Sequence, residues 1–202
     1  MKTKLLCLAA LFAASSSAFA ASGSVQFGFI ADTALDFEST SQDADGDGLS
    51  INLSLKPTDG PILIYATHLS REYENVLELD QTRIGVGASG SNNKLGYWLG
   101  LNYEILEVGS ADGDGLGVRG GLSFAFNDKF SLYGEVGSVF VSDEYTEVSG
   151  GEFSVGLAFG VTPQVSLFTD IRSQVLDVED TFAGGSEEIT LTDFRLGVGV
   201  FF

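Results

Sequence analysis

The chain has 202 residues and a formal charge of −18, with 28 acidic against 10 basic residues, 26 glycines, 16 phenylalanines, three prolines and one cysteine. So acidic a chain is unsuited to nucleic acid, whose binding rests on neutralising phosphates with lysine and arginine. One cysteine excludes a disulfide-stapled domain, and this glycine content does not suit a helical bundle.

Residues 1–20 read as a secretory signal peptide. Lys2 and Lys4 precede an apolar run from Leu5 to Ala14, too short to span a bilayer as a helix, and Ala18-Phe19-Ala20 supplies a small-x-small cleavage pattern. Cys7 leaves with that leader. Residues 21–202, about 180 residues, fit one domain.

From there apolar residues recur at every second position, as in a strand with lipid on one face and a lumen on the other. The spacing predicts an all-β fold, an antiparallel up-and-down transmembrane β-barrel of ten strands. The competing all-β class, a water-soluble sandwich, explains neither the terminal phenylalanine nor the unbroken alternation.

In the first strand Val25, Phe27, Phe29, Ala31, Thr33 and Leu35 oppose Gln26, Gly28, Ile30, Asp32, Ala34 and Asp36. The second runs from Leu49 to Lys56 into a Pro57-Thr58-Asp59-Gly60 turn. The third puts Leu63, Tyr65, Thr67 and Leu69 on one face and Ala66, His68, Ser70 and Glu72 on the other, with the latter expected in the lumen. The fourth is clear only over Arg83 to Ser89, because Leu77 and Leu79 break its parity. If that hairpin is not inserted, the count falls to eight.

The fifth strand runs from Leu95 to Ile105, the sixth from Leu116 to Phe126 and the seventh from Phe130 to Phe140. The eighth covers Phe153 to Gly160 and the ninth Val165 to Arg172. The last ends with Phe194, Leu196, Val198, Val200 and Phe202 on one face. Short turns fall near residues 57, 91, 128 and 163, and longer loops at 38–48, 73–80, 107–115, 142–152 and 177–188. This alternation is that of an outer-membrane barrel with periplasmic turns and extracellular loops. Phe37, Tyr73, Tyr103, Phe140 and Tyr145 are expected in an outer aromatic girdle, and Tyr97, Phe126, Phe130, Phe159 and Phe202 in an inner one.

Charge is placed unevenly. The five loop segments are rich in aspartate and glutamate and contain no lysine or arginine. Parity points Asp32, Asp36, Glu72, Glu104, Glu135 and Asp170 inward against Lys56, Arg83, Arg119, Arg172 and Arg195, which predicts a salt-bridged lumen, since buried charges must be paired. The inward glycines leave a narrow pore as the alternative.

Asp43-Ala44-Asp45-Gly46-Asp47-Gly48 fits the first half of a calcium loop, in which alternate carboxylates converge on a hard cation, but Ser54 stands where the bidentate glutamate belongs. Asp112-Gly113-Asp114-Gly115 repeats part of it. Asp43, Asp45, Asp47, Asp112 and Asp114 are therefore candidate ligands for Ca2+ or Mg2+, bridging the loops to lipopolysaccharide phosphates. Turn chemistry alone also accounts for aspartate and glycine at these positions.

His68, Ser70 and Glu72 share one face. A His-x-Ser pair with a glutamate resembles the arrangement in outer-membrane lipid A deacylases, where histidine activates serine. Those enzymes present the pair to lipid, so inward parity argues for polar packing and against an enzyme.

The leader, the dyad strands, the acidic first loop, the Asp80-Gln81-Thr82-Arg83-Ile84-Gly85-Val86-Gly87 strand start and the terminal Phe202 together resemble the small outer-membrane β-barrel proteins of Gram-negative bacteria, grouped with OmpA-like and porin-like barrels. The resemblance covers residues 21–202. It implies export, a place in the outer membrane among its lipids and lipopolysaccharide, and reading of Phe194, Leu196, Val198, Val200 and Phe202 by the barrel assembly machinery. It supplies no activity. The expected function is a monomeric, non-enzymatic surface or envelope-stabilising barrel; the alternatives are a narrow channel and, more distantly, a lipid A hydrolase.

Overall fold

The computed structural model describes residues 22–37, 43–57, 60–73, 77–108, 111–143, 146–180 and 185–202; the expected leader and Tyr145 lie outside them. The strands are β1 (Ser22–Phe37), β2 (Asp43–Lys56), β3 (Ile62–Tyr73), β4 (Leu77–Asn92), β5 (Leu95–Val108), β6 (Ala111–Ala125), β7 (Phe130–Ser142), β8 (Thr146–Thr162), β9 (Val165–Asp180) and β10 (Gly185–Phe201). Each pairs antiparallel with its chain neighbours. Pairing of β1 with β10 closes the barrel. The hairpin that parity left open is fully paired, from Tyr73 opposite Leu77 to Ile62 opposite Ala88, so the count is ten and not eight.

With 12 to 17 residues each, the strands exceed the roughly 9–11 needed to cross a bilayer. The surplus lies at the loop end, where much of the expected loop sequence is strand: Asp43–Gly48 belongs to β2, Ala111–Gly115 to β6 and Thr146–Glu152 to β8. A closed ladder satisfies backbone N–H and C=O groups above the bilayer as well as within it, so nothing stops the pairing at the membrane surface.

The turn end is tight. Asn93 takes a left-handed φ of 50° in the β4–β5 turn, a conformation asparagine tolerates better than most residues. In the β6–β7 turn Asn127 Oδ1 accepts hydrogen bonds from the N–H groups of Lys129 (2.9 Å) and Phe130 (3.0 Å). The chain end is fastened beside the start of β1 by a reciprocal backbone pair, Gly23 N to Phe202 O (2.8 Å) and Phe202 N to Gly23 O (3.0 Å).

The outside of the barrel is an apolar belt. Leu99, Leu101, Leu116, Leu122 and Val136 are each 60% or more exposed, which in water would be a large uncovered patch and in a bilayer is the lipid contact. From Leu116 to Phe126 the outer face rises ten residues, and at about 3.3 Å per residue with a tilt of about 40° this spans roughly 25 Å, the height of a transmembrane barrel's apolar band. Tyr97, Phe126, Phe130 and Phe202 edge the belt at the turn end, where the rings of Phe130 and Phe159 lie 4.8 Å apart. Tyr103 and Phe140 stand exposed toward the loop end. Tyr73 does not join that girdle; its side chain is inside the barrel and 3% exposed.

Two parity assignments are overturned. A register shift after Ile30 moves β1 by one residue, so Ile30, Thr33 and Leu35 are all buried inward, and Asp32 and Asp36, expected in the lumen, are exposed. In β3 the buried side is Leu63, Tyr65, Thr67, Leu69, Arg71 and Tyr73. His68, Ser70 and Glu72 face outward. The reason is physical: β3 turns large side chains into the lumen along its whole length, Tyr65 into the space left by Gly85 and Gly100, so hydrophobicity there does not mark the lipid side.

Candidate functional site

The inward side chains stack in layers along the barrel axis. Nearest the loop end is an apolar layer of Leu35, Tyr73, Leu79, Leu106, Val139, Val141, Leu176 and Leu191. The inward position of Leu79 is what disturbed the parity of β4.

Below it lies a layer of ion pairs that spans the lumen. Glu152 of β8 is its hub. It meets Arg83 Nη2 of β4 at 2.7 Å, Arg119 Nε of β6 at 2.6 Å and Arg172 Nη2 of β9. The Arg119 contact is a close ion pair lying off the line of a hydrogen bond. Glu104 of β5 accepts from Arg83 Nε (2.8 Å), from Asn102 Nδ2 (3.0 Å) and from Gln81 Nε2. To one side, Asp193 of β10 takes both Nε (2.9 Å) and Nη2 (2.7 Å) of Arg71, and Thr33 donates to it at 2.8 Å. Slightly lower, Asp170 accepts from Arg195 Nε and from the Tyr133 hydroxyl, each at 2.7 Å, and Glu135 from Arg119 Nη2 at 3.1 Å.

Five arginines thus meet five carboxylates, and these are all the arginines of the chain. Arg71 and Arg83 are at most 1% exposed, as is Glu104. Taking such charges out of water costs several kcal/mol per ion, roughly, and only dense pairing offsets it.

At several inward glycines the space a pore would need is taken by a neighbouring side chain. A Cβ on Gly85 would stand 2.6 Å from the Tyr65 hydroxyl oxygen and one on Gly156 2.6 Å from Tyr133 Cζ; one on Gly137 would stand 2.9 Å from Arg119 Cγ and 3.0 Å from Glu152 Oε1. Small residues on one strand make room for large ones on the next. Tyr65 in turn packs edge-on against Trp98, with ring centres 5.4 Å apart, and the Arg119 guanidinium lies 6.0 Å from the Trp98 ring.

On each side of the charged layer is a cavity. The one toward the turn end, about 350 Å³, is polar, with Ser24, Gln26, Asn52, Ser54 and Lys56 on its wall. The other, about 230 Å³, lies within the apolar layer.

Of the residues expected in the lumen, the structure brings together Arg83, Glu104, Arg119, Glu135, Asp170, Arg172 and Arg195, and leaves out Asp32, Asp36 and Glu72. Arg71, Gln81, Glu152 and Asp193 were missed. Glu152 was legible in principle: it continues the inward series Gly156, Ser154 one step further, beyond where a loop was expected to begin.

The candidate metal ligands are not gathered. Asp45 and Asp47 are exposed on β2, Asp112 and Asp114 on β6, and Asp43 opens β2 opposite Asp36. An extended strand sets alternate residues about 6.6 Å apart and does not wrap them round an ion, so the calcium-loop turn is not formed. Among the described residues no three His, Cys, Asp or Glu side chains stand close enough to hold a metal. Acidic residues are instead directly opposed across outward-facing strands: Asp47, Glu72 and Glu78 in one row, Asp80, Glu107 and Asp112 in another, and Glu147 opposite Glu179. Like charges so opposed repel.

His68 and Ser70 are on the outer face, opposite Ile51 and Leu49 of β2, and His68 Nδ1 and Thr82 Oγ1 are 2.9 Å apart. Thr82 thus occupies the cross-strand position at which a carboxylate would orient the imidazole.

No protein-family model matches the sequence, and no curated protein matches it. Solved structures do match. The outer membrane protease OmpT of Escherichia coli superposes with a TM-score of 0.51 at 10% identity, over 90% of this chain and 96% of its own. An outer membrane channel from Pseudomonas putida F1 does so with a TM-score of 0.51 at 11% identity, over 91% and 96%. Neisserial surface protein A matches over 89% of this chain and 97% of its own, with a TM-score of 0.46 at 15% identity. The likeness is one of fold. A protease and a channel share this barrel, so the chain's own residues must carry the functional argument.

Proposed function

We propose that this chain is a monomeric integral protein of the Gram-negative outer membrane whose barrel does not conduct and which acts at the cell surface to stabilise the envelope. The observation that carries the reading is the triple pairing of Glu152 with Arg83, Arg119 and Arg172, which joins strands from opposite walls across the lumen. An open channel needs mobile water along its axis. Here the axis is crossed by side chains whose charges cancel and whose hydration would break their pairing. The apolar belt and the strand ends at Phe194, Leu196, Val198, Val200 and Phe202 support membrane insertion, with the last strand as the segment read during assembly.

The acidic rows extend the reading outward. Carboxylates opposed across strands next to a lipid surface bearing phosphates call for divalent cations between them, and Ca2+ or Mg2+ is the cation class that prefers such oxygen ligands. The test of the whole reading is solute passage. Proteoliposomes of the refolded protein should not swell in arabinose or glycine; swelling at a rate proportional to protein content would make the chain a narrow porin instead.

A second reading, a lipid-directed hydrolase, is favoured by one observation, the outward placement of His68 beside Ser70. It predicts loss of acyl chains from lipid A incubated with the protein, abolished by Ser70→Ala. Unchanged lipid A removes it.

A further inference from the structure

The cavity at the loop end is unusual for a barrel lumen, which is ordinarily polar. Its apolar wall includes Leu35, Leu79, Leu106, Val141, Leu176 and Ile189, contributed by β1, β4, β5, β7, β9 and β10, so among the described residues it is walled mainly by strand. Its floor is the apolar layer resting on the ion pairs of Arg71 and Glu152. Water placed there finds few polar partners, and an apolar cavity of roughly 150 Å³ already stays dry and takes up benzene. This one measures about 230 Å³.

We propose that this cavity is a binding site for an uncharged hydrophobic molecule the size of one substituted aromatic ring. Volume sets the size. Charge sets the class: Asp112 and Asp143 stand at the mouth, and every lysine outside the expected leader lies at the other end of the barrel, so an anionic ligand such as a fatty acid meets repulsion with no cation to receive it. A charged head of either sign would also have to enter a wall with almost no hydrogen-bonding atoms. The ion-pair layer below makes the site a blind receptacle, and ligand enters and leaves by the loop end. The inference goes beyond the envelope-stabilising reading and does not depend on whether the barrel conducts.

The experiment is methyl nuclear magnetic resonance of the refolded protein in lipid nanodiscs, titrated with toluene and, separately, with benzoate. Toluene also dissolves in the bilayer, so the lipid-facing methyls of Leu99 and Leu116 serve as the partition reference. The expected result is a saturable shift of the Leu106, Val141 and Leu176 methyls at toluene concentrations where the reference methyls move only linearly, with no saturable response to benzoate. Val148→Phe and Val178→Phe each fill the cavity from a half-buried lining position, and each should weaken the toluene response at least tenfold while the strand signal in circular dichroism is kept. Lumen methyls that only track the reference methyls, filled variants that bind as the parent does, or benzoate saturating like toluene would overturn the proposal. Solute passage in liposomes is a separate readout, so failure here leaves the non-conducting reading standing.

Discussion

Arg83 of β4 and Glu152 of β8, 69 residues apart in sequence and on opposite walls of the barrel, meet at 2.7 Å in the middle of the lumen. Both are essentially dry. Replacing Glu152 with glutamine keeps the shape but leaves Arg83, Arg119 and Arg172 without their shared carboxylate. Breaking a buried pair from one side costs about 3–5 kcal/mol, so E152Q should lower the urea midpoint by a corresponding amount. Trp98, the only tryptophan, stands within the lumen beside Arg119 and reports the transition by fluorescence. An unchanged midpoint would mean that the three arginines are hydrated.

Leu99 belongs to the lipid-facing belt, at 62% exposure. Leu99→Arg should cost about 2–4 kcal/mol of stability in a bilayer, the penalty for arginine near the midplane of a barrel's lipid face. Glu147→Arg, on the outer face above the belt, should cost nothing measurable by the same refolding titration. Equal effects at the two positions would contradict the placement of the membrane.

Orientation can be read from lysine alone. Lys56, Lys94 and Lys129 all lie at the turn end, and the loop segments contain none. A membrane-impermeant amine reagent applied to intact cells should leave the protein unlabelled, and permeabilising the outer membrane should expose all three sites. Labelling of intact cells would put the turns outside.

Opposed carboxylates in the row Asp47, Glu72 and Glu78 should make stability depend on divalent cations. Removing Ca2+ and Mg2+ with a chelator should lower the thermal midpoint. Glu72→Lys places a cation between the two acids, should raise stability by roughly 0.5 kcal/mol, and should shrink the chelator effect. A chelator effect of equal size in parent and variant would assign the cations elsewhere.

Most of the fold was legible in the sequence because the membrane enforces it. Along β5, β6, β9 and β10 lipid faces one side, and strict alternation of Leu, Val and Phe with Gly, Arg and Asp gave the correct inward face. Where reading failed, the cause was local. One register shift after Ile30 carried Asp32 and Asp36 to the outside, and no residue there announces it. In β3 and β4 the rule itself ceased to hold, because Leu63, Tyr65 and Leu69 point into the lumen on the turn side of Arg71, and Tyr73 and Leu79 belong to an apolar layer above the charges. The acidic run from Asp43 reads as a loop because aspartate and glycine are turn formers, yet edge-to-edge pairing of tall strands overrides that propensity. Seven of the charged lumen residues were found by parity; their hub, Glu152, was not, because its strand continues past the point where hydrophobic alternation ends.

The most direct test of the central claim is single-channel recording of residues 21–202, refolded and inserted in a planar bilayer containing lipopolysaccharide. The account predicts no current above the bare-bilayer baseline from the folded barrel, because the pairs centred on Glu152 leave no continuous water path. Stable, reproducible open steps from the unmodified protein would contradict it.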